Sequence, residues 1–162
     1  MRAFFCSAFA FVSLILADVS SATEPYKVGD LFESFTTQDQ HEKSYTLEPT
    51  VRTIVVSFTM GVGKDANRFF EKQPATFLAD QQSIFLSNIY GMPSVGRFFA
   101  LPKMKKYPHR ILLADSEHFL DRYPKQEDML TVFRLAPDSK ITAIEFVDPE
   151  KNLPAVFPAP AK

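Results

Sequence analysis

Long apolar runs alternate with segments of helical spacing through the middle of the chain. Residues 53–59 and 84–90 are β-branched or apolar almost without interruption, which is typical of strands buried on both faces of a sheet. Gly61 and Gly63 are expected to end the first of these strands, and residues 64–73 then carry apolar side chains at helical spacing. A strand, a helix and a further strand in this order predict parallel neighbours in one sheet.

A second helix is predicted from Ser94, which is a suitable N-cap. Val95, Phe98 and Phe99 follow at helical spacing and are expected on its buried face. Adjacent helix residues point about 100° apart, so one ring of the Phe98–Phe99 pair should lie away from the main core. A second buried layer is the favoured explanation, and a hydrophobic patch for a partner is the alternative.

The remaining segments complete a mixed sheet. A third strand is predicted at residues 110–115, and a short helix at 116–123. Turn-forming residues between apolar strands predict two antiparallel hairpins, one pairing 32–35 with 44–47 and the other pairing 129–135 with 141–147. This order predicts a largely parallel central sheet with helices on both faces and an antiparallel edge.

The first 22 residues have the pattern of a secretory signal peptide. Arg2 gives a positive start, residues 4–17 form an apolar run, and Ser20, Ser21 and Ala22 supply the small side chains that a signal peptidase reads. Cleavage is expected after Ala22, which predicts a periplasmic or secreted protein. The run is short for a membrane span, so no stable span is expected after cleavage, and a retained N-terminal anchor is the alternative.

The end of the chain differs in composition from the rest. Residues 152–162 are rich in proline, which disfavours helix and cannot donate ladder hydrogen bonds. We predict an extended, mobile tail after a domain at residues 23–151. A polyproline-type ligand is the alternative, although its pattern is common.

Charge and cysteine content exclude several classes of protein. The 162 residues carry a net charge of −1, which argues against a nucleic-acid binder. The single cysteine, Cys6, lies inside the predicted signal peptide, so the mature chain is expected to contain no cysteine.

The order of elements resembles the thioredoxin-like superfamily, in particular its secreted thiol-disulfide oxidoreductases and peroxiredoxin-like proteins. Residues 28–35 resemble the lead-in of those proteins, residues 38–47 their first hairpin, and residues 111–146 their second half. The resemblance implies an α/β three-layer sandwich, with a mostly parallel central sheet, an N-terminal β-hairpin and an antiparallel C-terminal hairpin.

The chain departs from that family at the residues that carry its chemistry. By spacing, the cysteines of a C-x-x-C motif would fall at about Gly63 and Ala66. Relatives carry a cis-proline just before the hairpin strand, but residues 127–130 contain none and the nearest proline is Pro124. Disulfide exchange requires a thiolate, so dithiol and thiol-peroxidase chemistry are excluded for the mature chain. We therefore predict that the protein is not an enzyme, with a vestigial active site at the following positions: Met60, Gly61, Gly63, Lys64, Ala66 and Met129.

No other motif supplies a catalytic or metal site. His41, His109 and His118 are not spaced as metal ligands, and surface or capping roles are expected for them. Residues 61–64 superficially suggest a phosphate loop, but Asp65 replaces its Ser or Thr and is interpreted as a helix cap. No cofactor or metal is predicted.

A basic stretch follows the second predicted helix and is the remaining candidate surface. It consists of Lys103, Lys105, Lys106, His109 and Arg110. Such a stretch could bind an acidic partner or anionic head groups, and a charged helix end is the simpler interpretation.

Two functions follow from these observations. The first is an exported, redox-inactive binding or adaptor module of the cell envelope, with a protein partner. The alternative is a carrier of a soft metal or small ligand at the vestigial edge around Met60, residues 61–64 and Met129.

Overall fold

The computed structural model describes residues 24–157. Within that range the strands are β1 (Thr36–Asp39), β2 (Ser44–Thr46), β3 (Thr53–Ser57), β4 (Ser83–Asn88), β5 (Leu112–Ala114), β6 (Leu130–Leu135) and β7 (Ile141–Val147). The helices in the same range are α1 (Met60–Phe70), α2 (Phe77–Asp80), α3 (Ser94–Met104) and α4 (Leu153–Val156).

The strands form one sheet in the order β2-β1-β5-β4-β3-β6-β7. The three central strands β5, β4 and β3 are parallel, and the outer pairings are antiparallel. The predicted α/β fold is confirmed, with its parallel centre and its hairpin at each edge. Strand β1 begins at Thr36, so the prediction of a strand at residues 32–35 is wrong by four residues.

The two faces of the sheet are covered differently. Alternate residues of β3 separate them, because the side chain of Val55 faces one core and those of Ile54 and Val56 face the other. The helical face is the side where α1, α2, α3 and α4 pack. The aromatic face is the opposite side, covered by the segment from Tyr26 to Phe32 and by the turn containing Tyr123.

The predicted short helix at residues 116–123 is wrong, because this segment consists of turns. Tyr123 is nevertheless buried, and its ring contacts Tyr26, Phe32 and Phe133. Aromatic packing therefore covers this face without a helix, and the prediction of helices on both faces of the sheet is wrong for residues 24–157.

Helix α1 begins four residues before its predicted start at residue 64. Thr59 is the N-cap, and its hydroxyl accepts a hydrogen bond from the backbone N–H of Val62 at 3.3 Å. Gly61 and Gly63 therefore lie inside the helix instead of ending the strand before it. Asp65 is in the second turn, where it pairs with Arg68 at 2.6 Å, so its interpretation as the helix cap is wrong.

The side of α3 that faces the core differs from the predicted side. It begins at Ser94 itself, with Pro93 at the cap position. Gly96 and Ala100 are half-buried and Met104 is buried, at spacings of four residues, and these residues form the inward stripe of the helix. The prediction that Val95, Phe98 and Phe99 are buried is wrong, because they lie on the outward side.

The start of the proline-rich segment is packed into the core. Residues 153–156 form α4, with Pro154 in the first turn, where its missing N–H costs nothing. Leu153, Val156 and Phe157 are buried on the helical face. The expectation of an extended tail is wrong for these residues, since their apolar side chains are held by the core.

The predicted signal peptide and its cleavage after Ala22 lie outside the described residues, as does Cys6. Between residues 24 and 157, no helix has the length and apolar character needed to cross a membrane.

Candidate binding site

The junction between β3 and α1 sets the floor of the candidate site. Gly63 sits in the first turns of α1 above the ends of β3 and β4. A Cβ added there would lie 3.1 Å from Oγ of Ser57 and 3.5 Å from Oγ of Ser87. The two hydroxyls are themselves joined, because Ser57 donates a hydrogen bond to Ser87 at 3.2 Å. Gly63 therefore allows α1 to approach the sheet closely, and a larger side chain would have little room.

A cleft of about 340 Å³ opens between α1 and α3. Of the predicted site residues, the structure brings Met60, Gly63 and Lys64 together along its α1 wall. The α3 wall contributes Gly96, Phe99, Ala100, Lys103 and Met104, and the remaining lining comes from Asn67, Ser87, Asn88, Ile89, Met92 and Tyr107. The lining is thus mainly apolar, and it includes two lysines, Lys64 and Lys103.

The other three predicted positions do not line this cleft. Gly61 is exposed, and a Cβ at this position would meet no atom within 4 Å. Ala66 is completely buried in the core of the helical face. Met129 is half-buried in the turn before β6 and is not part of the cleft wall.

Sequence reasoning missed the α3 side of the cleft. Met92 and Met104 join Met60 in the lining, so three thioethers share one site. Thioethers are flexible and polarisable, which suits them to irregular apolar contacts. The spacing of Gly96, Ala100 and Met104 was the available signal, but the larger apolar residues Phe98 and Phe99 outweighed it.

Beneath the cleft, His109 is buried with 1% of its surface exposed. Its Nε2 lies 2.8 Å from Oδ1 of Asn67, and since an amide oxygen only accepts, Nε2 carries the proton. Burial lowers the pKa of His109 to about 4, because the charged imidazolium would lose its hydration. The ring is therefore neutral at neutral pH.

The surroundings of His109 explain why it stays neutral. Phe70 and Tyr107 pack against the imidazole, each with its ring centroid 5.3 Å away. Nδ1 is buried without a hydrogen-bond partner. The expectation of a surface or capping role is wrong for this histidine.

The other two histidines are exposed and lie apart from the cleft. His118 bonds to Asp121 through Nδ1 at 2.8 Å, and His41 lies in the turn between β1 and β2. In the part of the chain that the structure describes, no group of three or more His, Cys, Asp or Glu side chains could hold a metal ion.

An exposed apolar patch borders the cleft on α3. Val95, Phe98 and Phe99 are 70%, 74% and 69% exposed. Met60, across the cleft, is 59% exposed. Large apolar side chains gathered in this way mark an interaction surface more often than scattered single residues do.

Solved structures resemble this architecture. The thioredoxin domain of a thiol-disulfide oxidoreductase from Bacteroides vulgatus aligns with a TM-score of 0.54 and 15% identity, over 82% of this chain and 99% of that domain. The chain has a thioredoxin-like fold. A peroxidoxin from Mycobacterium tuberculosis gives a TM-score of 0.52 at 15% identity, over 80% of this chain and 92% of the other.

A peroxiredoxin-like protein from Aquifex aeolicus is similar to the same extent, with a TM-score of 0.53 and 12% identity over 83% of this chain and 86% of that one. No family model matches the sequence, and no curated protein matches it either. These similarities extend to the fold, whereas function has to be argued from the site.

Proposed function

We propose that this protein is an exported, redox-inactive thioredoxin-like module that binds a partner protein through the cleft between α1 and α3. The observation that carries the proposal is that Cys6 is the single cysteine, while an open apolar cleft occupies the start of α1. Disulfide exchange through a C-x-x-C site needs two thiols in one place, and the sequence has no second one. The fold is kept without the groups that would make it an oxidoreductase.

The chemistry of the cleft supports protein binding. Met60, Met92 and Phe99 offer adaptable apolar contacts, and Lys64 and Lys103 add positive charge at the walls. Interfaces gain most of their affinity from a few apolar anchors that enter such pockets. The vestigial active-site edge thus becomes a binding surface, although Gly61, Ala66 and Met129 lie outside it.

A redox assay tests the absence of enzymatic activity. The full chain and its Cys6→Ser variant are compared for reduction of insulin and for consumption of peroxide, with dithiothreitol as reductant. We expect both proteins to match the rate without protein. A turnover that disappears in Cys6→Ser would show thiol chemistry and contradict the proposal.

Export is tested by expressing the full chain and fractionating the cells. We expect the protein in the periplasm or medium, with an N-terminus at Thr23 that N-terminal sequencing identifies. A chain that keeps Met1 and stays in the membrane fraction would support the retained anchor instead.

Protein binding is tested by placing a photo-crosslinking residue in the cleft. With the crosslinker at Phe99 we expect one discrete product in the native host, and a matched crosslinker at Phe146, on the distant strand β7, should not give it. Val95, beside the cleft, serves as an intermediate position. The same product from both Phe99 and Phe146 would contradict a site at the cleft.

A soft-metal carrier is the second candidate, and the gathering of three methionines favours it. Thioethers are ligands that Cu(I) accepts. Competition for Cu(I) with a chromophoric chelator, comparing the protein with a Met60→Leu/Met92→Leu variant, tests this function. Binding that the double variant loses supports a carrier, and equal behaviour of the two proteins excludes it.

A further inference from the structure

We propose that the outward face of α3 docks onto an anionic membrane surface. The docking face consists of Val95, Phe98 and Phe99, with Lys103, Lys106 and Lys64 beside them. It shares Phe99, Lys64 and Lys103 with the cleft and adds Val95, Phe98 and Lys106, which lie outside the cleft lining. The membrane contact would exist whether or not the cleft also binds a partner protein.

The apolar part of the docking face projects from the molecule. Val95 precedes Phe98 and Phe99 by three and four residues, so the three side chains share one side of the helix. Each is more than two-thirds exposed, and the two phenyl rings contact only edge to face, with centroids 5.2 Å apart. Leaving such side chains in water costs free energy that entry into a lipid interface would recover.

Three lysines beside these side chains carry the positive charge of the docking face. Lys103 lies one turn beyond Phe99 and lines the same cleft, as Lys64 does from α1. Lys106 follows in the turn after the helix, where its N–H bonds to the carbonyl of Lys103. Within residues 24–157, none of these three lysines takes part in an ion pair.

Two carboxylates are already paired with arginines of α1 and α3. Asp115 binds Arg97, and Asp65 binds Arg68. The next lysine of the basic stretch, Lys105, is held by Glu42 at 2.7 Å. The net positive charge of the docking face therefore comes from the three free lysines, and it complements the phosphates of acidic lipids.

A membrane fits this surface better than a second copy or an acidic peptide does. A second copy packed face to face on this surface would bring the same lysines close to each other. A peptide would bury its anchors in the cleft, whereas Val95 and Phe98 lie outside the cleft lining. Aromatic side chains that project beside lysines are typical of helices that lie in the membrane interface.

Vesicle binding tests the proposal. The purified full chain is mixed with vesicles of phosphatidylcholine alone or with about 25% phosphatidylglycerol, and the bound fraction is measured by flotation. We expect at least about tenfold stronger binding to the anionic vesicles at low salt, and weaker binding when salt screens the charges.

Variants of the full chain distinguish vesicle binding by the docking face from binding by the N-terminal apolar segment, because all of them keep that segment. Phe98→Ser/Phe99→Ser should lower the partition coefficient by about tenfold or more, since two apolar anchors are removed. Lys103→Glu/Lys106→Glu should lose a similar factor on anionic vesicles only. Matched controls are Val28→Ser, equally exposed away from α3, and Lys43→Glu/Lys125→Glu, and these should bind as the wild type does.

Each result decides the proposal. Thermal unfolding confirms that the variants are folded, and losses confined to the two α3 variants support membrane docking. Equal binding by all variants would assign the affinity to the N-terminal segment and overturn the proposal. Absence of vesicle binding would also overturn it. In that case a dimer in sedimentation that Phe98→Ser/Phe99→Ser abolishes would identify a second copy as the occupant. Binding to an acidic phenylalanine-containing peptide would identify a peptide instead.

Discussion

The helical face and the aromatic face of the sheet solve the same packing problem in different ways. On the aromatic face, Tyr26, Phe32 and Tyr123 close around Phe133, with ring centroids between 5.3 and 5.9 Å from it. The guanidinium of Arg122 covers the ring of Tyr26 at 4.1 Å. Burial also raises the pKa of Tyr123, so its hydroxyl stays neutral. This face is sealed by irregular chain.

The helical face has four helices and still leaves a cleft and an exposed patch. Helix α3 contacts the core through Met104 and a stripe of small residues, and it turns Phe98 and Phe99 toward solvent. The two faces thus divide by how completely they are closed. The aromatic face is sealed, whereas the helical face keeps an open cleft and an exposed patch beside its own buried core.

Truncation of one phenylalanine on each face is the strongest test of this division. Phe133→Ala should lower the free energy of unfolding by about 3–5 kcal/mol, since a fully buried ring leaves a cavity. Phe98→Ala, at the exposed patch, should change it by less than about 0.5 kcal/mol. Urea denaturation measures both values, and similar losses would show that the patch is part of the core.

The pH dependence of stability tests the buried histidine of the helical face. The pKa of His109 is about 4 in the folded protein and 6.5 in the unfolded chain, so the unfolded chain binds a proton first as the pH falls. The contribution of His109 to the free energy of unfolding is fully present above pH 6.5. It is lost as the pH falls toward 4, by up to about 3 kcal/mol. Unfolding of the wild type and of His109→Gln between these pH values measures the difference.

The His109→Gln comparison removes the contribution of carboxylates, because both proteins contain the same ones. We expect the variant to have a flatter pH profile over this window, whatever its stability at neutral pH. Parallel profiles would mean that His109 gains a proton in the folded state as readily as in the unfolded one.

Gly61 and Gly63 test which side of α1 packs against the sheet and which side is open. Their substitution should change stability less than Phe133→Ala does. Gly61→Ala should raise stability by about 0.5–1 kcal/mol, since alanine favours helix and its Cβ meets nothing. Gly63→Ala should instead lower it by about 1 kcal/mol, because the Cβ crowds Ser57. Thermal unfolding compares them, and a gain at both positions would show that α1 does not press on the sheet.

Much of the scaffold could be predicted from local pattern. The apolar runs at β3 and β4 and the turn residues between β6 and β7 act over short distances, so their effect is visible in the sequence. The start of α1 was missed because glycine usually ends an element. Here Gly63 is required inside the helix by a contact with Ser57 and Ser87, which are distant in sequence.

The site could be predicted only in part, for the same reason. Met60, Gly63 and Lys64 follow from the resemblance to the thioredoxin-like superfamily, which places its active site just after the strand that is β3 here. Met92, Met104 and the buried pairing of His109 with Asn67 depend on how α3 and the following loop return to α1. Residues that are so far apart in the sequence show no regular spacing, so their contacts cannot be predicted from it.

The sequence by itself determined the α/β order, the two hairpins and the lack of a second cysteine, because each depends on residue identity or on short-range periodicity. The tertiary structure alone decided which side of α3 faces the core. That helix has two apolar sides, Gly96–Ala100–Met104 and Val95–Phe98–Phe99. The sequence predicts burial of the side with the larger residues. The Met92 side chain packs against Gly96, where an added Cβ would lie 3.1 Å from Cγ of Met92, and the opposite side of the helix leaves the phenylalanines at the surface.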